Sequence, residues 1–228
     1  MRIETWLSST DRLANEGELL QVPGRVDWVL DQVGVGKRVL DIGCRGGSLS
    51  RKVLDRNNQV WGLEPHPAAA LAAEKEGIQV TVGDPGERLP FENGYFDVVH
   101  VAESLETVFD TKEFLLECSR VLDRRGVLLF SVMNLNRLEN RIRMLQGRTP
   151  RGAGAFPEDH GGERIRHFNE AKVRELCRET GWRIESVRSL PVLRSKGEWL
   201  DRSLMQLSRL TPGLGALLLV KALKTTQS

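Results

Sequence analysis

The stretch that most narrows what this chain can fold into is residues 39–50. There Val39, Leu40 and Ile42 flank Asp41 and run into a turn built from Gly43, Gly46 and Gly47. Ser48 then opens a segment whose apolar residues Leu49, Val53 and Leu54 recur at helical spacing, so the stretch reads as strand, tight loop, helix. Open parallel sheets bind nucleotide-like ligands at such a junction, because glycines let the backbone approach the ligand closely. The spacing departs from the G-x-G-x-x-G of a dinucleotide fold, and Asp41 stands two residues before the first glycine. A carboxylate there repels a pyrophosphate and suits a ligand that carries an ammonium group.

The 228 residues suit one α/β domain with decorations, at a hydrophobic content of 40% that supports an ordinary core. A net charge of +2 argues against a surface built for nucleic acid, although it leaves room for a local basic patch. No N-P-P-Y-like motif for a flipped base is present, and no basic tract interleaved with aromatics, so no nucleic-acid partner is expected. Cys44, Cys118 and Cys177 are odd in number, widely spaced and without a C-x-x-C pair, which fits a reducing, cytoplasmic setting. Cys118 and Cys177 read as small core residues on helices, and no zinc site is expected. The first residues lack a signal-type apolar run, and the densest apolar run, 214–220, is too short to cross a bilayer. No export and no transmembrane segment are therefore expected.

Taken in order, residues 1–35 read as an N-terminal helical cap of two short helices, one around Leu13, Leu19 and Leu20 and one around Val26, Val29 and Leu30, broken at Pro23 and Gly24. It is either a cover over the glycine loop or a helix on the sheet edge. Residues 36–228 read as one α/β domain. Its second strand, 59–63, runs into Glu64, about twenty residues past the glycine loop, where a carboxylate accepts both hydroxyls of a ribose. Pro67 starts an alanine-rich helix that Gly77 ends. A third strand, 78–82, leads to Asp84, a fourth covers 96–101, and Asp110 with Glu113 forms a capping box before a helix that Gly126 ends. The fifth strand is 127–133. This alternation predicts a doubly wound, Rossmann-like sheet of seven strands with helices on both faces, mostly parallel, whose last strand, 216–223, is antiparallel at the edge.

The alternation breaks at about 134–168, which holds Arg137, Arg141, Arg143, Arg148, Arg151, Arg164 and Arg166 among many glycines, with 138–145 of helical character. Such an insertion at a strand's carboxyl end is either a mobile loop or a substrate lid. Its arginines suit an anionic acceptor, since the guanidinium fork grips carboxylates and phosphates in two places, or else form a solvated charged face. Asn169 caps a further helix that ends at Gly181, and 182–190 is the sixth strand. Residues 198–210 read as an amphipathic helix, flanked by Arg194 and Lys196, that either touches a membrane surface or, as such helices more often do, packs on the sheet.

Several of these runs together resemble the type 11 group of class I S-adenosylmethionine (SAM)-dependent methyltransferases. The carriers are Val39-Leu40-Asp41-Ile42-Gly43-Cys44, Leu89-Pro90-Phe91 followed by Phe96-Asp97-Val98-Val99, Leu105-Glu106, and the segment from Ile165 to Gly181. The run Gly147-Arg148-Thr149-Pro150 resembles the methionine-biosynthesis protein MetW in particular. The departures are Arg45, at the middle glycine of D-x-G-x-G-x-G, and Thr107, in place of a histidine after Leu105-Glu106. The resemblance implies SAM as cofactor. Asp41 and Ala102 would lie near its methionine end, Gly43 and Gly47 would give backbone access, Glu64 would hold the ribose and Asp84 the adenine. Arg45 either crowds the cofactor or pairs with its carboxylate. A base is needed only if the acceptor keeps a proton at the moment of attack, and the candidates are His160, His167 and Glu106. His100, inside a strand, reads as a buried structural residue.

Two functions follow. One is SAM-dependent methyl transfer to a small, anionic molecule. The other is a methyltransferase fold without turnover that acts through a protein partner.

Overall fold

Short β-branched and leucine-rich runs alternate with amphipathic helices along the first part of the chain, and each helix returns the chain to the start of a neighbouring parallel strand. The computed structural model describes residues 22, 24–102, 104–153, 164–190 and 211–225. Its elements in order are α1 (Arg25–Val33), β1 (Arg38–Ile42), α2 (Ser48–Leu54), β2 (Gln59–Glu64), α3 (Pro67–Lys75), β3 (Gln79–Val82) and β4 (Phe96–Ala102). They continue with α4 (Thr111–Val121), β5 (Leu122–Met133), α5 (Leu138–Leu145), α6 (Glu170–Glu179), β6 (Trp182–Leu190) and β7 (Leu217–Lys224). The expected first helix around Leu13, the helix at 198–210, the middle of the insertion and His160 lie outside the described residues.

The seven strands form one sheet in the order β3-β2-β1-β4-β5-β7-β6. Pairing is parallel from β3 to β5, and β7 runs antiparallel to both β5 and β6. The expected Rossmann-like sheet is present, with one correction. The last strand is not at the edge but between β5 and β6. Its residues Leu217, Leu218, Leu219 and Val220 are all buried, as a strand covered on both faces requires, whereas in β6 only Trp182 and Ser189 are buried, as an edge strand allows.

The two-residue period of the strands sorts the core into two layers. Leu40, Ile42, Val99, Val101, Leu128 and Phe130 face α4 and α6, including Phe114, Leu115, Cys118 and Cys177. Val39, Val60, Val98 and Leu129 face α1, α2 and α3 through Trp28, Val29, Val53 and Ala73. Cys118 and Cys177 are buried thiols with pKa values raised by burial, as expected of core residues. Asp110 caps α4 by accepting from the N–H groups of Lys112 and Glu113, and Asn169 caps α6 through the N–H of Lys172. The helix α4 stops at Val121, five residues before Gly126, because Leu122 turns extended and pairs with Phe96.

One side chain holds the loop before β4. Arg120 donates from Nε to Glu117 (2.8 Å) and from its two Nη atoms to the carbonyls of Leu89 and Phe91 (2.8 Å each), while Glu117 accepts the Leu89 N–H at 3.0 Å. Arg120→Met keeps the stem but strands two carbonyls and a carboxylate. Urea unfolding is expected to show a loss of about 2 kcal/mol. A variant as stable as the parent would mean that water replaces these bonds at no cost.

Candidate active site

The strand order reverses between β1 and β4, so the loops that leave these two neighbours diverge and open a crevice at their carboxyl ends. The crevice is lined by Arg25 and Val26 of α1, by Asp41 and the loop Gly43-Cys44-Arg45, by Ser48 and Leu49 of α2, and by His100 and Ala102 of β4. The strand period decides which side chains reach it. Asp41 and His100 are register partners on the α1 face, two residues beyond Val39 and Val98. They meet at 2.7 Å between Asp41 Oδ1 and His100 Nδ1, and Ser50 Oγ donates to Asp41 Oδ2 at 2.5 Å. All three are buried. His100 is thus buried, as its place in a strand suggested, and it also lines the crevice. The available signal was a polar residue at the equivalent place in two strands, each preceded by two apolar residues.

The glycine loop is held open by its backbone. Gly43, Arg45 and Gly47 all adopt positive φ, at 75°, 51° and 83°. A Cβ on Gly47 would stand 2.9 Å from the Ala73 backbone, and one on Gly43 would stand 2.2 Å from Ser104 Oγ. Arg45 thus holds a left-handed backbone conformation that favours glycine, and its N–H donates to Glu64 Oε2 at 2.9 Å. Among the described residues no hydrogen bond or ion pair holds its guanidinium.

Glu64, at the end of β2, is 2% exposed. Its other oxygen accepts from the His66 N–H at 3.1 Å, so each carboxylate oxygen takes one backbone donor and keeps further lone-pair capacity. Burial pushes this carboxyl above the ordinary glutamate range, and the N–H groups of His66 and Arg45 draw it part of the way back.

Residues 40–130 match the family model described as Methyltransferase domain, of type 11. This stretch is thus similar to the methyltransferase domain of that family. Over 124 residues the chain is 36% identical to the ubiquinone biosynthesis O-methyltransferase of Pseudomonas aeruginosa, a match over 50% of this chain and 52% of that protein. The chain spans about half the length of the curated relatives it matches. Over nearly its whole length the fold is that of a SAM-dependent methyltransferase from Thermotoga maritima (TM-score 0.65, 19% identity, 94% of this chain and 97% of that one). It is equally that of geranyl diphosphate C-methyltransferase from Streptomyces coelicolor, solved with S-adenosyl-L-homocysteine and geranyl diphosphate (TM-score 0.66, 15% identity, 95% and 86%).

The expected site residues fall into three places. Asp41, Gly43, Arg45 and Ala102 share the crevice, with Gly47 packed behind the loop and Glu64 bonded to it. Asp84 is exposed, and its Oδ1 accepts the Gly86 N–H at 2.7 Å in a local turn. Glu106 and His167 line a separate cavity formed with the arginine-rich insertion. Glu106 is buried there, accepting from Met133 N–H at 2.8 Å and Arg164 Nε at 3.2 Å. Among the described residues no cluster of three or more His, Cys, Asp or Glu could hold a metal ion, and no helix is long and apolar enough to cross a membrane.

Two expectations follow from this geometry. Arg45→Gly removes a side chain from left-handed backbone and is expected to raise the unfolding free energy by about 0.5–1 kcal/mol, the strain relieved less the extra freedom of the unfolded chain. Thermal unfolding that shows no gain would place the cost elsewhere. Glu64 titrates higher in the folded chain than in the unfolded one. Its contribution to stability is therefore complete below the ordinary glutamate range and is lost as the pH rises through the folded value. Urea denaturation at a series of pH values should show Glu64→Gln flattening that decline; an unchanged slope would assign it to another group.

Proposed function

We propose that this chain transfers the methyl group of SAM to a small, anionic acceptor. The observation that carries the reading is the crevice at the β1–β4 reversal, where a buried carboxylate and two arginines, Asp41, Arg25 and Arg45, face one space between glycine-loop backbone and Ala102. Charges of both signs in one cleft suit an amino acid zwitterion, the methionine end of SAM. When bound, SAM supplies a methyl group already activated by its sulfonium.

The chain's own residues then bind and orient. Asp41, kept in place by His100 and Ser50, holds the ammonium end, directly or through water, with Ala102 beside it. Arg45 takes the carboxylate. Gly43 and Gly47 let the loop backbone lie close, Glu64 accepts the ribose hydroxyls on its remaining lone pairs, and Asp84 with the adjacent backbone takes the adenine. The insertion at 134–168 serves as a lid, and the helical cap of residues 1–35, of which α1 is the described part, covers the cofactor. Proximity and exclusion of water supply most of the acceleration in such a site. Where the acceptor retains a proton, His167 and His160 stand as bases ahead of Glu106, whose carboxylate is bonded to Met133 and Arg164. Three buried, unbridged cysteines fit a cytoplasmic reaction.

Calorimetric titration with SAM and with S-adenosylhomocysteine tests this reading. Both should bind in the micromolar range, and Glu64→Ala should weaken both by about tenfold to a hundredfold, the loss expected for hydrogen bonds to a buried carboxylate. Absence of binding by either ligand would overturn the reading and turn attention to a protein partner.

A further inference from the structure

The second cavity, about 190 Å³, lies beside the carboxyl ends of β4 and β5, between Glu106 and the insertion. Arg137, Arg151 and Arg164 all line it, and Glu106 is the one lining carboxylate among the described residues. Glu139 sits near Arg137 at 3.6 Å and pairs with Arg151 at 2.8 Å, and Glu106 pairs with Arg164 at 3.2 Å. Even so, Arg137 Nε is buried with no hydrogen-bond partner. Burial holds the Arg137 guanidinium below its ordinary pKa, and although Glu139 opposes this, Arg151, Arg164 and Arg143 push it further down. Like charges gathered around a cavity, one of them with an orphaned buried donor, cost stability unless an anion completes the set.

We infer that this cavity is a phosphoryl-binding subsite, which holds the phosphate group of the methyl acceptor on the guanidinium groups of Arg137, Arg151 and Arg164. The inference rests on the anionic-acceptor reading above and adds the place and the chemical class. Among the described residues three guanidiniums meet two carboxylates, Glu106 and Glu139, and their forked donors, the orphaned Arg137 Nε among them, suit the three oxygens of a phosphoryl group better than the two of a carboxylate. The cavity has room for a phosphoryl group beside the polar atoms of Asn134 and His167. An acceptor anchored there would extend its remaining atoms past Glu106 toward the crevice.

The test uses the full chain and inorganic phosphate as probe. Calorimetric titration at constant ionic strength should give phosphate binding at millimolar concentration or tighter, with acetate at least about tenfold weaker. Arg137→Gln and Arg151→Gln should each weaken phosphate by about tenfold and leave S-adenosylhomocysteine affinity unchanged. Arg151 is half-exposed, so its variant keeps the test valid if Arg137→Gln does not fold. Equal affinity for acetate and phosphate, or phosphate binding untouched in Arg151→Gln, would overturn the subsite. Phosphate binding without S-adenosylhomocysteine binding would leave the subsite standing and remove the cofactor assignment; the reverse would remove the subsite alone.

Discussion

The pairing of β1 with β4 is the constraint on which the rest of the molecule depends. It is where the order of the parallel strands turns back, and it is fastened by polar ties at both ends. At the start of the strands Asp97 accepts the Arg38 N–H at 2.8 Å and faces its guanidinium at 3.5 Å. At their carboxyl ends Asp41 meets His100. A slip of one residue would turn Asp41 and His100 to opposite faces of the sheet and leave a buried carboxylate without its partner, so these bonds select a single register. The end with Asp97 is packed with aromatics, Trp61, Tyr95 and Phe96 meeting edge to face at 5.0–5.5 Å, and serves stability. The opposite end is open and polar.

The glycine loop shows how much backbone shape outweighs residue identity. Arg45 occupies left-handed backbone at a cost of roughly 1–2 kcal/mol, and the turn keeps the form that its glycine neighbours impose. Strain of this size persists where the surroundings over-determine the conformation, here through Gly43 and Gly47 on either side and the Arg45 N–H bond to Glu64. The side chain is then delivered into the crevice from a fixed origin.

Most of the parallel half of the fold could be read from the chain, because there each element carries its own punctuation: Pro67 and Gly77 around α3, Asp110 before α4, Asn169 before α6. The helix at Leu138–Leu145 and the strand at Trp182–Leu190 have the bounds their periodicity predicts. The position of β7 could not be read in this way, since a buried apolar run looks alike wherever it inserts, and only its pairing with β5 and β6 tells centre from edge. The start of β5 departs from the expected residue 127 for a related reason: Gly126 looks like a helix end, but the pairing of Leu122 with Phe96 captures the chain earlier. In the site, the loop and Glu64 announced themselves by spacing, whereas the Asp41–His100 pair joins residues 59 positions apart and belongs to register, which no local pattern records. The gathering of Arg137, Arg151 and Arg164 around Glu106 is likewise a product of tertiary closure.

The placement of β7 between β5 and β6 has a consequence for how the molecule comes into being. As the chain leaves the ribosome, β1 to β5 can assemble in order, but β6 emerges with nothing to pair with, and β5 keeps a bare, apolar edge until residues 217–224 arrive to fill the gap between them. The strand β7, which follows both of its neighbours in the chain, is thus a keystone. Until it is seated, the nascent protein presents the kind of hydrophobic edge that chaperones recognise and aggregates exploit.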